Sequence, residues 1–411
     1  MPKTEKESRR GIIEFCALTD YPLNNMNSDE FGRPKSAVMG DALRVYFSAQ
    51  SKKRAMRTND IFEELVGERA TRTRRFPNII YFRLIECGMP EEAAAATAVS
   101  VAGKSLDKKP KDEKNDSFLK MKEALANSVH IGDMAYMSQR EIDDIVEAAL
   151  DIFNDEDHKG NVNQYVKDFA YTKNSLNKIA AWCKKKCKDE PHPMTADQAL
   201  FGRMVTNVYP ESIESALKVA PSIQIHASSI NNDYITAVEE IMNDEGDAGS
   251  GHITSALFTS GIYFTYMYLD LDQLYENFAG AATPEEQEEL YVATACVVPL
   301  LIAFSHPNGR QSNFASSSIP DFLMAVHKHY KHAVTPYPAF HESVRNMDMP
   351  EAIEKMAERC EKTFNTSVYN KPKEIACVCL QDDVTLPEDF VRQDSLDDLC
   401  TAIGEWIRAE K

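Results

Sequence analysis

No stretch of this sequence is apolar for long enough to cross a bilayer. The longest, YVATACVVPLLIAF from Tyr291 to Phe304, falls short of the roughly 20 residues a spanning helix needs and reads as a buried core helix. The opening residues, MPKTEKESRR, are charged and hold no apolar run. No secretory leader is therefore expected, and the chain reads as cytoplasmic, without membrane contact. Its nine cysteines are odd in number and several sit in apolar segments, which argues for free buried thiols over a disulfide framework.

Metal-ligand spacing is also missing. Cys183 and Cys187 are separated by three lysines with only His192 nearby, and His327, His329 and His332 have no acid close by to complete a site. These histidines are expected at the surface. Cys377 and Cys379 alternate on an expected strand and should be buried. No P-loop, dinucleotide fingerprint, nucleophile elbow or solenoid-period repeat is present. Neither a metal nor a cofactor is expected. Positive charge is scarce as well: 46 Lys and Arg stand against 64 Asp and Glu, for a net charge of -18. Taken alone, that balance argues against nucleic-acid binding, because phosphate contacts need cations. The distribution of charge matters more than its sum.

What is present is an ordinary globular composition, 43% hydrophobic and 27% charged over 411 residues, enough for one large domain or two ordinary ones. Residues 11–18 (GIIEFCAL) read as an opening strand, followed by a turn-rich loop and a second strand at Arg44 to Gln50. Ser51 is the expected N-cap of the next helix. Residues from about 60 to 190 read as mostly helical, with a capping box at Ser138 and Glu141 and a charged, mobile loop at 104–116. Strand character returns at Ala196 to Met204, Ser222 to Ser228 and Leu257 to Leu269. Within the last, IYFTYMYL is apolar on both faces, as a covered central strand should be. Thr283 and Glu286 form a second capping box for a helix running to about Phe304. A late strand at Ile375 to Leu380 and a terminal helix at Ser395 to Ala409 complete the pattern. A split sheet interrupted by a long helical insertion fits this order: an α+β fold with a ferredoxin-like, RNA-recognition-type core.

The most informative stretch is Arg33 to Arg57, with Arg33, Lys35, Arg44, Lys52, Lys53, Arg54 and Arg57 against one acid, Asp41. Lys52, Lys53 and Arg54 are placed in the first turn after Ser51, where the helix dipole disfavours cations. A bound anion would resolve that conflict, since a helix N-terminus and basic side chains together make a phosphate site. Ser48, Gln50 and Ser51 add hydroxyl and amide donors suited to phosphate and 2′-OH groups. The plainer reading is a solvated, incidentally basic helix face. A second basic cluster, Arg69, Arg72, Arg74, Arg75 and Arg83, either extends a phosphate track or meets a partner's acids.

Gly32 to Arg57 resembles the signature of the CasC family, the repeated backbone subunit of the type I-E CRISPR surveillance complex, Cascade. The matching residues are Lys35, Ala37, Gly40, Ser48, Gln50, Ser51, Lys53, Arg54, Ala55 and Arg57. Further similar segments follow in the same order: GRM at Gly202 to Met204, IHASSI at Ile225 to Ile230 (similar to a helix of the family), DYITAVEEI at Asp233 to Ile241, GSGHITSALFTSGIYFTY at Gly249 to Tyr266, and PNGRQSNFA at Pro307 to Ala315. The resemblance covers residues 11–325.

It implies a hand-shaped subunit: an RNA-recognition-type palm from residues 1–60 and 190–345, with a thumb at about 203–255. Helical fingers would occupy 61–189, and 346–411 would pack on the palm. Copies would stack along a CRISPR guide RNA, with other Cascade subunits as partners, and display the guide for pairing with target DNA. Carried over residue by residue, Lys35, Ser48, Gln50, Ser51, Lys53, Arg54 and Arg57 contact the guide backbone; Arg72, from the second basic cluster, is a further RNA-binding candidate outside that carry-over. Met204 is the apolar wedge beside a displaced base. Ile235 matches a second wedge position, which is aromatic in some members and stacks less as isoleucine. Two rival functions remain. Related backbone subunits of type III complexes cut RNA with an acid in the loop after the first strand, where Asp29 and Glu30 stand as candidate Mg²⁺ ligands. A scaffold without nucleic acid would suit the acidic total. The closer type I-E motifs favour a non-catalytic RNA-binding subunit.

Overall fold

The computed structural model describes residues 10–104, 117–172, 175–190, 192–204, 211–238 and 250–410. It is a mixed α+β structure that divides into two compact units. One comprises Met1–Gly67, Ala216–Tyr275 and Glu289–Lys411, the other Glu68–Ser215 and Glu276–Glu288. The loop expected at 104–116 lies, after its first residue, outside the described residues.

The first unit is organised by a large sheet. Strand β1 (Ile12–Asn24) is followed by the β2 (Ser36–Met39) and β3 (Ala42–Phe47) hairpin and by helices α1 (Ala49–Arg57) and α2 (Asp60–Val66). The second unit starts with β4 (Thr71–Thr73), then α3 (Phe76–Glu86), α4 (Glu91–Val101), α5 (Ser117–Ala126), β5 (Ala135–Met137), α6 (Gln139–Asn154), α7 (Val162–Ala170), α8 (Ser175–Asp189) and α9 (Ala196–Phe201). The chain then returns to the sheet with β6 (Leu217–Val219), β7 (Ser222–Gln224), β8 (Asn231–Val238), β9 (Ser250–Asp270), β10 (Phe322–Lys328), β11 (Glu374–Cys379) and β12 (Val391–Arg392). The sheet runs β12-β11-β10-β1-β9-β7-β3-β2, with β6 and β8 also paired to β9.

β9 is the organising strand. Its last half pairs with β1 from Asn24↔Thr259 to Ile12↔Asp270, while its first half pairs with β8. Gly261 to Met267 are all buried, as IYFTYMYL requires. One face, with Cys16, Leu18, Phe264, Tyr266, Met324 and Val326, packs against Ile353, Met356 and Cys360 of the Met349–Phe364 helix. The sheet also buries an ion pair that no local pattern announces, between Glu14 and Lys328. Tyr266 Oη donates to Glu14 at 2.5 Å, and Lys328 Nζ donates to Asn370 at 2.9 Å.

Several local expectations are met. Ser138 and Glu141 form a reciprocal capping box on α6, Thr283 Oγ1 accepts from the Glu286 amide at 3.1 Å, and Ser395 caps the Leu396–Ala409 helix. Others need correction. Ala196 to Phe201 is helix α9, not a strand. The signal was the Thr195-x-x-Gln198 pattern: Gln198 Oε1 accepts from the Thr195 amide, and Gly202 then stops the helix at φ +69°. The helix from Pro284 breaks after Cys296, and a second helix covers Val298–Phe304, because Pro299 removes an amide from the ladder. Ile225 to Ile230 is not helical. There, His226 Nε2 accepts from the Ile262 amide at 3.2 Å, and a Cβ on Gly261 would collide with the same ring. The two motif segments are thus two sides of one backbone contact. His327 is buried, hydrogen-bonded to the Arg10 carbonyl at 3.3 Å, His329 is half-buried, and only His332 is exposed.

In the second unit, α4 is buried from Ala93 to Val101. Its alanines let neighbouring helices approach closely. His158 is buried between Asp155 and Asp168, one carboxylate on each ring nitrogen at 2.9 and 3.2 Å.

Candidate nucleic-acid interface

The basic stretch begins where β3 ends. Phe47 stacks on Tyr263 of β9 with ring centroids 4.4 Å apart, and Tyr21 meets both edge-on. This aromatic cluster sets where the strand stops. Ser48, not Ser51, is the N-cap: its Oγ accepts from the Ser51 amide at 3.3 Å, and Ser51 Oγ donates back to the Ser48 carbonyl at 2.8 Å. The first turn is therefore Ala49 to Lys52. Lys53 and Arg54 fall in the second turn, and Arg54 and Arg57 lie in the last, where the dipole favours cations. The expected dipole conflict narrows to Lys52.

Lys52 and Arg44 are internal cations. Lys52 Nζ donates to the Ser305 carbonyl at 3.3 Å from a side chain only 1% exposed, and burial pulls its pKa down to about 8. Arg44 is fully buried, with Asp41 at 2.9 Å and the His341 carbonyl at 3.3 Å. The Ser343 hydroxyl and amide hold the Asp41 carboxyl well below its usual range. Both cations tie the hairpin and α1 to distant chain and are withdrawn from solvent.

Gln50 and Arg54 are exposed, while Lys35, Ser48, Ser51, Lys53 and Arg57 are half-buried. Ser51 and Arg54 open into a cleft of about 440 Å³. Its other walls are Met26, Asn27 and Ser28, Ala55, Thr58 and Asn59, and Phe304 to Gly309. Among the described residues, no Asp or Glu lines it. The structure thus joins the first motif segment to the last. Gly309 permits this: its amide reaches the Met26 carbonyl at 3.2 Å, where a Cβ would collide. His306 lines the cleft, donating to or accepting from Tyr21 Oη at 3.0 Å, and burial, with help from the Lys52 charge, lowers its pKa to about 4. It is neutral near pH 7. Sequence reasoning missed Asn27, Asn59, Phe304 and His306. Asn27 Oδ1 accepts from the Ser48 amide at 2.8 Å, and only proximity could reveal that role.

The second unit carries its own cleft, of about 470 Å³, lined by Arg72, Met134 to Tyr136, Phe201 to Met204 and Ser212 to Ser215. Its GRM segment divides the work by residue. Gly202 passes so close to the Ile213 carbonyl and Ser215 amide that a Cβ would clash. Arg203 is buried, forming a two-pronged ion pair with Glu141 at 2.8 and 2.9 Å and donating to the carbonyls of Tyr136 and Glu211. Burial raises the Glu141 pKa, but Arg203 outweighs it and the carboxyl sits below its usual range. Met204 is 94% exposed, beside Met134 at 58%. An apolar side chain is thus held out in solvent on a rigid base. Arg72, also exposed, shares this cleft. Ile235 lies on β8 opposite Thr254, and its side chain is outside the described residues.

Asp29 has a turn-forming role: its Oδ1 accepts from the amides of Phe31 and Arg33, each at 2.9 Å. Glu30 is exposed.

Residues 13–402 match the CT1975-like protein family. The chain belongs to that family. The resemblance to the CasC-type family is therefore borne out. Two solved structures are similar to this CT1975-like chain. One carries the name "CRISPR RNA-guided surveillance complex, pre-nicking", with TM-score 0.73, 22% identity, and 97% of this chain and 100% of that chain covered. The other is named "CRISPR RNA-guided surveillance complex", with TM-score 0.66, 20% identity, and 96% and 99% covered. No curated protein matches the sequence.

Proposed function

We propose that this chain is a non-catalytic CRISPR RNA-binding backbone subunit of the type I-E kind, acting in the cytoplasm in antiviral defence. It oligomerises along the guide RNA, joins other surveillance-complex subunits and presents the guide for pairing with target DNA. The observation that carries this reading is the α1 cleft: in a protein of net charge -18, it combines Arg54 with hydroxyl and amide donors and no carboxylate. Such a surface holds phosphates without reading bases. Full-length similarity to surveillance-complex structures supports the same role.

The strand order β10-β1-β9-β7, with every neighbouring pair antiparallel, supports an RNA-recognition-type palm. Helices lie between β1 and β7 and between β9 and β10, as that arrangement requires. The β8–β9 hairpin extends from it as a thumb-like arm. Met204, exposed on its clamped base, suits a wedge beside a displaced base. The turn bonds taken up by Asp29 favour the non-catalytic reading over the nuclease.

Guide-length RNA binding across a salt series tests this. Each phosphate contact contributes roughly 0.7 to the slope of log affinity on log salt for single strands. The Lys53→Ala, Arg54→Ala, Arg57→Ala variant is expected to lose about 2 from that slope, together with multi-copy assembly on the RNA. Salt-independent binding, or equal binding by both proteins, overturns the proposal in favour of a scaffold.

A further inference from the structure

Phosphate binding accounts for Arg54 and Ser51 but leaves Phe304 without a role. The helix it ends is mostly buried: Val298, Pro299, Leu301, Ile302 and Ala303 are inside and Leu300 is half-buried. Phe304 is 43% exposed and lines the α1 cleft. Its backbone is pinned to the α1 region from two sides. The Phe304 carbonyl accepts from Asn59 Nδ2 at 2.9 Å, and the next carbonyl, of Ser305, accepts from Lys52 Nζ. Phe304 at the wall of this cleft leaves part of its apolar surface exposed to solvent, which folding alone does not favour.

The cleft has two chemical ends. Arg54 and Ser51 suit a phosphate, and the Phe304 ring offers a flat apolar face. Asn27, Asn59 and Asn308 stand on the same walls. The volume of about 440 Å³ lies in the roughly 300–1,000 Å³ range of small-molecule sites.

We infer that this cleft takes one whole nucleotide of a single-stranded RNA, with the phosphate at Arg54 and Ser51 and the base stacked on Phe304. The inference rests on the RNA-binding reading above. Stacking tolerates any base, because every base presents a π-face, and a guide-holding protein needs that tolerance.

The test is a binding cycle with the full-length protein. One ligand is a short oligouridylate; the other is the same ribose-phosphate chain without bases. Phe304→Ala is expected to weaken oligouridylate binding roughly 5- to 150-fold, the range of one base–aromatic stack, and to leave the abasic chain unaffected. Phe304→Tyr should restore oligouridylate binding. Phe304→Leu, which keeps the apolar bulk and guards against simple misfolding, should not. Arg54→Ala should weaken both ligands. If Phe304→Ala weakens both ligands equally, or neither, while Arg54→Ala weakens both, the stacking site is overturned and the phosphate reading stands. If Arg54→Ala changes neither, the phosphate reading fails and the inference falls with it.

Discussion

The two clefts are nearly equal in size, about 440 and 470 Å³, and use charge in opposite ways. At the α1 cleft a cation, Arg54, faces solvent while Lys52, two residues earlier, is hidden and structural. At the Met204 cleft the cation next to the exposed tip is the hidden one: Arg203 pairs with Glu141 beneath Met204, while Arg72 on the cleft wall stays exposed. A buried ion pair is costly to form but rigid once complete. Such a pair can hold a neighbouring side chain in place, whereas the phosphate binding proposed for the α1 cleft needs charge that stays accessible.

Breaking the hidden charge should have the largest effect. Arg203→Ala leaves the largely covered Glu141 carboxylate only its bonds from Ser138 and Gln198 and is expected to lower unfolding free energy by about 3 kcal/mol in urea titration, the low end for a broken buried pair. Arg203→Lys should recover little of this, since one ammonium cannot replace the two-pronged contact. A loss below about 1 kcal/mol for Arg203→Ala would show that the pair is not what braces the Met204 base.

Lys52 provides the converse case. Its pKa falls from 10.5 to about 8 in the folded chain. Between those values the unfolded chain holds more protons, so stability should climb as pH rises from about 8 to 10.5. Lys52→Met should abolish that climb. It should also raise stability near pH 7 by about 1–3 kcal/mol, the pKa shift less one lost hydrogen bond. Unfolding measured across this pH range decides it, and an identical profile for both proteins would place Lys52 in contact with water.

The smallest effect is expected at Met204. At 94% exposure, Met204→Ala should change stability by less than about 0.5 kcal/mol. The same variant should flatten any periodic base exposure along bound guide RNA, read by chemical probing. An unchanged probing pattern would leave Met204 without a wedge role.

What the sequence carried was local. The covered strand at Ile262 to Leu269, the capping box at Ser138, the hydroxyl cap at Thr283, the terminal helix after Ser395 and the basic stretch itself are readable because caps and periodicity act within a few residues. Where one local signal overrode another, as at Thr195 to Gln198, the reading went to a strand that is a helix. The family was legible too, because the resemblance rests on residue identities in order.

Only the tertiary structure decided which cations remain available. Arg44 is claimed by His341 and Ser343, and Lys52 by Ser305, partners some 250 to 300 positions away. The same long-range packing brought Pro307 to Gly309 against Ser51 and Arg54, left Phe304 at the cleft wall and buried Arg203 beneath an exposed Met204. Burial and charge pairing depend on what else reaches the same point in space, and a linear pattern of residue types does not contain that information.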